Sequence, residues 1–178
     1  MRRAMAGVGL ALLLGQAALA EDDPLAKAMA RNPARFETRA IDLIAGFGGP
    51  DGLRPADIEA HIALERAGAR ASGLRRFLAM DLDGDGAVTR AELAVSQRAA
   101  SSAARGRMER QFAAADADTS GTVDAAELAA FGAAAGHAAL DEEEADLLRG
   151  LIRLDADGNG ALSVAEVATA VARVDKDG

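Results

Sequence analysis

The sequence predicts an all-α fold in which helix–loop–helix units are arranged in two lobes. Three observations lead to this prediction. One twelve-residue pattern occurs three times, in loop 1 (81–92), loop 2 (116–127) and loop 3 (155–166). Apolar residues recur at helical spacing before and after each loop, as expected for one buried helix face. Between loops 1 and 2, the segment 94–106 is rich in Ala, Ser and Arg and poor in large apolar residues, which favours a solvated helical connector.

The three loops share a set of oxygen-bearing side chains. Each has such a side chain at positions 1, 3, 5 and 9, Gly at position 6, an aliphatic residue at position 8 and Glu at position 12. A hard divalent cation such as Ca²⁺ binds six to eight oxygens, and this spacing brings them around one point. The chain contains no Cys, and no His falls in the loops, so zinc or another soft metal is not favoured.

Each loop offers six candidate ligands, at positions 1, 3, 5, 7, 9 and 12. Position 7 contributes its backbone carbonyl, position 9 acts through a water, and the position 12 carboxylate binds with both oxygens. Gly at position 6 allows the positive φ that turns the chain beneath the ion. The candidate metal ligands are Asp81, Asp83, Asp85, Ala87, Thr89 and Glu92 in loop 1, Asp116, Asp118, Ser120, Thr122, Asp124 and Glu127 in loop 2, and Asp155, Asp157, Asn159, Ala161, Ser163 and Glu166 in loop 3.

With these loops the chain resembles the EF-hand family of calcium-binding proteins, and in particular its calmodulin-like, exported bacterial type. The resemblance covers most of the chain after about residue 36. It implies about three bound Ca²⁺ ions, one in each loop. It also implies short β pairing between loops, in which the strand at position 8 (Val88, Val123 or Leu162) pairs with that of a neighbouring hand.

A fourth, silent hand is expected at 46–57, because EF-hands occur in pairs. There the aliphatic position 8 is Leu53 and position 12 is Asp57, whereas positions 1, 3 and 5 are Gly, Gly and Pro. Without those ligands the segment is expected to bind no ion and to act as a structural partner for loop 1. The alternative is an unrelated N-terminal helical hairpin.

These elements predict the following domain organisation. A signal peptide occupies 1–20 and is followed by an N-terminal lobe at 21–93. That lobe contains the degenerate hand (about 36–66) and a binding hand (about 70–100). A connector at 94–106 leads to a C-terminal EF-hand pair at 107–178.

The N-terminus has the three parts of a secretory signal. Arg2 and Arg3 form a positive region, 8–14 is apolar, and 18–20 is a small-x-small cleavage motif. We therefore expect cleavage after Ala20 and a periplasmic or secreted protein. A permanent membrane anchor is less favoured, because the apolar run is short and interrupted.

The negative charge of the chain limits the kinds of partner that it is expected to bind. Cleavage would remove two arginines and no acids, which changes the formal charge from −8 to −10. Phosphate would repel such a chain, so nucleic acid is not an expected partner. We expect a monomer that binds calcium and has no membrane insertion after cleavage. A protein partner is possible, and the sequence does not identify it.

The main functional prediction is a calcium sensor or buffer of the cell envelope. One alternative is a calcium-gated interaction subunit of another envelope protein. A lanthanide-binding protein is less favoured. Lanthanide-binding EF-hand proteins of the exported bacterial type carry Pro at position 2 of each loop and have closely spaced loops. Here position 2 is Leu82, Ala117 and Ala156, and the loops lie far apart. An enzyme is not expected, since the two histidines, His61 and His137, have no catalytic motif around them.

The loops are expected to differ in affinity. Loops 1 and 2 each offer four carboxylates, whereas loop 3 offers only Asp155, Asp157 and Glu166. Because the number of charged ligands tunes affinity, loop 3 is predicted to be intrinsically the weakest.

Overall fold

The computed structural model describes residues 23–177; the predicted signal peptide, 1–20, lies outside them. The described residues form an all-α fold with one small antiparallel strand pair, as the sequence predicts. Among them, no helix has both the length and the apolar character needed to cross a membrane. The elements are α1 (Pro24–Arg31), α2 (Pro33–Phe47), α3 (Pro55–Leu78), β1 (Val88–Thr89), α4 (Arg90–Gln97), α5 (Ser102–Ala115), β2 (Thr122–Val123), α6 (Ala125–Ala139), α7 (Glu142–Gly150), a 3₁₀ turn (Leu151–Leu154) and α8 (Val164–Asp177).

The helices begin where the sequence supplies start signals. Proline occupies the first turn of α1, α2 and α3, where its missing N–H costs nothing and its fixed φ suits a helix. Asn32 ends α1 and caps α2, because its side chain accepts a hydrogen bond from the N–H of Arg35. Ser101 and Asp141 cap α5 and α7 in the same way.

The aliphatic residues at position 8 determine which hands pair. Val88 of β1 lies opposite Val123 of β2, so loops 1 and 2 form one pair. Leu53 and Leu162 exchange two backbone hydrogen bonds of 2.9 and 2.8 Å, so the silent hand pairs with loop 3. All four side chains are fully buried.

The predicted grouping into lobes is therefore wrong. We expected the silent hand to pair with loop 1, and loop 2 with loop 3. The physical reason is α3, a continuous helix of 24 residues that begins in the silent hand and ends at loop 1. At about 1.5 Å per residue it is roughly 36 Å long, so the loops at its two ends are too far apart to pair. Loops 1 and 2 are nested in the chain between the members of the other pair.

The connector prediction is also wrong. The segment 94–106 lies inside the pair formed by loops 1 and 2 and does not separate two lobes. It is helical, as expected, except for a turn at 98–101. Helix α4 ends at Gln97, a turn follows, and α5 begins after Ser101. The hydroxyl of Ser101 caps the new helix, which explains the break.

The silent hand keeps only the second half of the loop frame. Helix α2 continues through Gly46 to Phe47, so the first positions of the expected loop are helical. A tight turn follows, in which a Cβ on Gly52 would lie 2.5 Å from the carbonyl oxygen of Leu162. Further along, Asp57 accepts a hydrogen bond from the N–H of Arg54, as position 12 does for position 9 in the binding loops. The segment is thus a helix–turn–helix that pairs through Leu53.

Each pair of hands has its own apolar core. The core of the loop 1 and loop 2 pair contains Phe77, Met80, Val88, Leu93, Phe112, Ala115 and Val123. The core of the other pair is larger and contains Leu25, Met29, Ala40, Leu43, Ile44, Leu53, Ile58, Ile62, Leu140, Ala145, Leu151, Leu154, Leu162, Val167 and Val171.

Helix α1 belongs to the larger core. Leu25 and Met29, which are four residues apart on one helix face, are both buried there. At its N-terminus Asp23 accepts hydrogen bonds from the guanidinium of Arg153, which lies two residues before loop 3. This bridge lowers the pKa of Asp23, chiefly through the hydrogen bond from Arg153.

The two pairs are joined by the close contact between α3 and α6. Small residues permit this contact: a Cβ on Gly132 would lie 3.0 Å from Cγ of Arg70. A Cβ on Gly136 would lie 3.1 Å from the backbone oxygen of Arg66. The side chain of Arg66 also donates to the carbonyl of Leu140, just beyond α6.

This contact predicts different effects on stability for two glycine-to-alanine substitutions. In Gly68→Ala the new methyl group meets open space, so helix propensity should raise the free energy of unfolding by about 0.5–1 kcal/mol. In Gly136→Ala the methyl group meets the backbone of α3, which cannot move freely, so that gain should be cancelled or reversed. Urea unfolding of both variants checks this, and an equal gain in both would contradict the close contact.

Candidate metal centres

Each loop begins at the end of one helix and closes at the start of the next. Position 1 follows the incoming helix or 3₁₀ turn, and position 12 lies in the first turn of the outgoing helix. Position 6 has a positive φ in all three loops, at Gly86 (86°), Gly121 (84°) and Gly160 (82°), as the sequence pattern requires. The N–H of each of these glycines donates to the position 1 aspartate, which bends the loop around its own carboxylates.

The structure brings three carboxylates together in each loop, with ligand atoms within 4.8 Å of one another. The groups differ between loops, because loop 1 uses positions 1, 3 and 5 and the other two loops use positions 1, 3 and 12. They are Asp81, Asp83 and Asp85, then Asp116, Asp118 and Glu127, then Asp155, Asp157 and Glu166. Glu92 and Asp124 are the two predicted carboxylate ligands that fall outside these groups.

The position 12 glutamate closes each loop with hydrogen bonds. In loop 1 one oxygen of Glu92 accepts from the N–H of Leu82 (2.8 Å), and the other accepts from the N–H of Thr89 (2.8 Å). Glu127 and Glu166 repeat this arrangement. A carboxylate oxygen has more than one lone pair, so these bonds leave capacity for a cation.

Position 9 acts as a helix cap in all three loops. Thr89 and Ser163 each accept from the N–H of the position 12 glutamate and donate their hydroxyl to its carboxylate. Asp124 accepts from the N–H of Glu127 at 2.9 Å. Its carboxylate is therefore engaged with the N-terminus of α6, and loop 2 gathers three carboxylates rather than four.

The remaining predicted ligands also lie along the inside of each loop. In loop 1 Asp85 accepts from the N–H of Ala87, and in loop 3 Asn159 accepts from the N–H of Ala161. In loop 2 the hydroxyl of Ser120 donates to the carbonyl of Thr122 at 3.0 Å. A cation that uses this carbonyl would compete with the hydroxyl for the oxygen.

Loop 2 departs from the other loops at position 4. Loops 1 and 3 have glycine there, whereas loop 2 has Thr119, whose φ is +59°. A β-branched residue in this region is strained. At position 1 of the same loop, Asp116 is only 5% exposed, and its Oδ1 has no hydrogen-bond partner. A buried carboxylate oxygen without a partner fits a site that is completed by a cation.

Hydrogen bonding within the loops lowers the pKa of three candidate ligands. For Glu92 the main cause is the N–H of Thr89, followed by that of Leu82. For Asp155 burial raises the pKa, but the N–H groups of Gly160 and Gly158 outweigh it. For Glu166 burial likewise opposes the shift, and the bonds from Ser163 outweigh it. These carboxylates are therefore ionised at neutral pH and ready to bind a cation.

Sequence reasoning missed the contacts between loops 1 and 2. The guanidinium of Arg90, just after β1, lies 4.3 Å from the ring centre of Phe112, on the helix that enters loop 2. The same group forms a 2.7 Å ion pair with Glu109. The N–H of Arg90 also donates to the carbonyl of Gly121. None of these contacts has a signature in the local pattern, because the residues belong to different repeats.

A family model described as EF hand matches two segments of the chain, 74–95 and 108–131. The segments contain loop 1 and loop 2 with parts of their flanking helices. The chain therefore contains EF hands at loops 1 and 2. Loop 3 lies outside the matched segments, and its place in the family rests on its sequence pattern and on the acidic group described above. No curated protein and no solved structure matches the chain.

The lowered pKa values predict how the metal-free protein responds to acid. Because folding lowers these pKa values, the carboxylates stabilise the fold above their unfolded values near 4, and this stability is lost as the pH falls through the folded values. Glu92→Gln should therefore reduce the loss of stability between about pH 6 and pH 3. Thermal unfolding in chelator checks this, with Glu143→Gln on α7 as a control outside the loops. An unchanged pH profile for Glu92→Gln would contradict the prediction.

Proposed function

We propose that this EF-hand protein binds Ca²⁺ through loops 1, 2 and 3 and acts as a calcium sensor or buffer of the cell envelope. The observation that carries the proposal is the gathering of three carboxylates within 4.8 Å in each loop. Oxygen-rich groups of this kind suit a hard divalent cation. Metal binding adds to the free energy of folding, so calcium should also stabilise the fold.

The residues at positions 1, 3, 5, 7, 9 and 12 would hold the ion. The ion would neutralise carboxylates that otherwise repel one another across a few ångströms. The chain would contribute the turn at position 6, the orientation of each carboxylate and a glutamate fixed at the start of the outgoing helix. The silent hand would take no ion, since its first positions are helical and carry no acid.

The envelope location follows from the N-terminal sequence. Residues 1–20 have the charged, apolar and small-residue parts of a secretory signal, with cleavage after Ala20. The proposed mature protein begins at residue 21, two residues before the described fold, and is periplasmic or secreted. Mass spectrometry of the exported protein tests this location. A mature protein that still contains residues 1–20 would contradict it.

Calorimetry of the chain 21–178 with Ca²⁺ should detect two or three binding events. The substitutions Glu92→Gln, Glu127→Gln and Glu166→Gln should each remove or strongly weaken one event, because each removes a position 12 carboxylate. The charge count predicts that loop 3 is the weakest. However, all three loops gather three carboxylates in the structure, because Glu92 lies outside the loop 1 group and Asp124 caps α6.

The matched control is Glu143→Gln, which removes the same charge from α7 outside the loops. It should leave all events in place. Fewer than two events in the unmodified chain would contradict the proposed function. A following titration with La³⁺ would then show whether the loops prefer a trivalent ion.

A groove in the pair formed by the silent hand and loop 3 favours a second candidate function, a calcium-gated interaction subunit. It has a volume of about 780 Å³ and is formed by α1, α2, α3, α6, α7 and the 3₁₀ turn. Phe36, Leu43 and Leu148 form part of an apolar lining, and Arg35 and Arg39 lie along one side. An apolar surface with charged sides is typical of a surface that binds an amphipathic segment.

The partner hypothesis predicts capture of an envelope protein that depends on calcium and on this groove. A pull-down from envelope extract would compare the unmodified chain with Leu148→Glu, each with Ca²⁺ and with chelator. A protein captured only by the unmodified chain in Ca²⁺ would support gating. The same set of proteins in all four samples would argue against a calcium-gated partner, and calcium buffering would remain as the proposed role.

A further inference from the structure

The position 1 carboxylates differ in how they are satisfied without a cation. In loop 1 Oδ1 of Asp81 accepts from the N–H of Gly84 at 2.7 Å, and in loop 3 Oδ1 of Asp155 accepts from the N–H of Gly158 at 2.8 Å. In loop 2 the corresponding oxygen, Oδ1 of Asp116, accepts nothing. Asp116 is also the most buried of the three, and among the residues that the structure describes it is the only buried residue with a polar side chain.

The loops also differ at position 4, the residue that supplies this hydrogen bond in loops 1 and 3. In loops 1 and 3 position 4 is glycine with φ of 76° and 73°, and its N–H reaches the position 1 carboxylate. In loop 2 Thr119 has φ of 59°, and its hydroxyl donates to the carbonyl of Asp118 at 2.6 Å. The N–H of Thr119 makes no hydrogen bond to Oδ1 of Asp116, and this oxygen has no partner.

A buried carboxylate oxygen without a partner is costly, because it has lost its bonds to water and gained none. A cation restores the missing interaction. In loops 1 and 3 the same oxygen already has a hydrogen bond, so a cation gains less there. The carboxylate of Asp116 lies within 4.8 Å of Asp118 and Glu127, so the oxygen belongs to a group that can hold the cation.

We propose that loop 2 is the first of the three loops to fill with Ca²⁺, and that Thr119 is the positioning residue that sets this order. The inference rests on the proposed calcium binding and adds to it the order in which the loops bind Ca²⁺. Loop 1 fills next, because the β1–β2 ladder and the Arg90 contacts connect it directly to loop 2. Loop 3 belongs to the other pair and fills independently.

The glycines at position 6 provide one local reporter for each loop. Gly86, Gly121 and Gly160 each donate their N–H to the position 1 aspartate of their own loop. Their amide signals in a ¹H–¹⁵N NMR spectrum of the chain 21–178 should therefore shift as each loop binds Ca²⁺. We expect Gly121 to shift at a calcium concentration about tenfold below that for Gly160.

Thr119→Gly tests the positioning role. It should allow position 4 to form the hydrogen bond seen in loops 1 and 3, raise the calcium midpoint of Gly121 about fivefold to tenfold, and leave Gly160 unchanged. Thr119→Gly should also stabilise the metal-free chain, because it removes the strain of a positive φ at a β-branched residue. The reciprocal variant is Gly158→Thr, which should lower the midpoint of Gly160 if loop 3 keeps its fold. Signal dispersion in the same spectra reports on folding.

The outcomes separate this inference from the proposed function. If no glycine signal shifts up to millimolar Ca²⁺, both are wrong. If all three loops bind but Gly121 shifts last or together with Gly160, only the filling order is wrong. If Gly121 shifts first but Thr119→Gly leaves its midpoint unchanged, the role of Thr119 is wrong.

Discussion

Backbone pairing between the loops at position 8 is the constraint on which the rest of the structure depends. Val88 with Val123 and Leu53 with Leu162 fix the two partnerships, and each partnership forms one apolar core. The chain must then cross twice between the pairs, along α3 and back along α6. The close contact of these two helices follows from that path, and glycines such as Gly132 and Gly136 make it possible.

The same arrangement connects each cation site to the fold. Position 12 lies in the first turn of an outgoing helix, and its carboxylate accepts hydrogen bonds from the N–H groups at positions 2 and 9. A change at this carboxylate therefore acts on the helix and on the strand together. Helix α6 begins at loop 2 and ends beside the groove of the other pair, so one element contacts both a candidate cation site and a candidate partner surface.

Local features of this protein were readable from the sequence, and the partnership of its hands was not. Asp81 and its equivalents, the glycines at position 6 and the buried residues at position 8 follow from spacing alone, because each belongs to one short segment. The silent hand is predicted from the pairing of hands and from Leu53 at position 8, although α2 extends further than expected, through Gly46. The wrong lobe assignment came from pairing neighbours in the chain, whereas the 24-residue length of α3 decides against it. The unpartnered oxygen of Asp116 could not be predicted, because it depends on burial and on the backbone angles of the loop. The only difference in the sequence at this place is Thr119 at position 4, where the other loops have Gly.

Nuclear Overhauser contacts across the loops test this pairing most directly. In a spectrum of the chain 21–178, the account predicts backbone contacts between Val88 and Val123 and between Leu53 and Leu162, both with Ca²⁺ and with chelator. Contacts between Leu53 and Val88 together with contacts between Val123 and Leu162 would contradict it, since they would pair neighbouring hands along the chain.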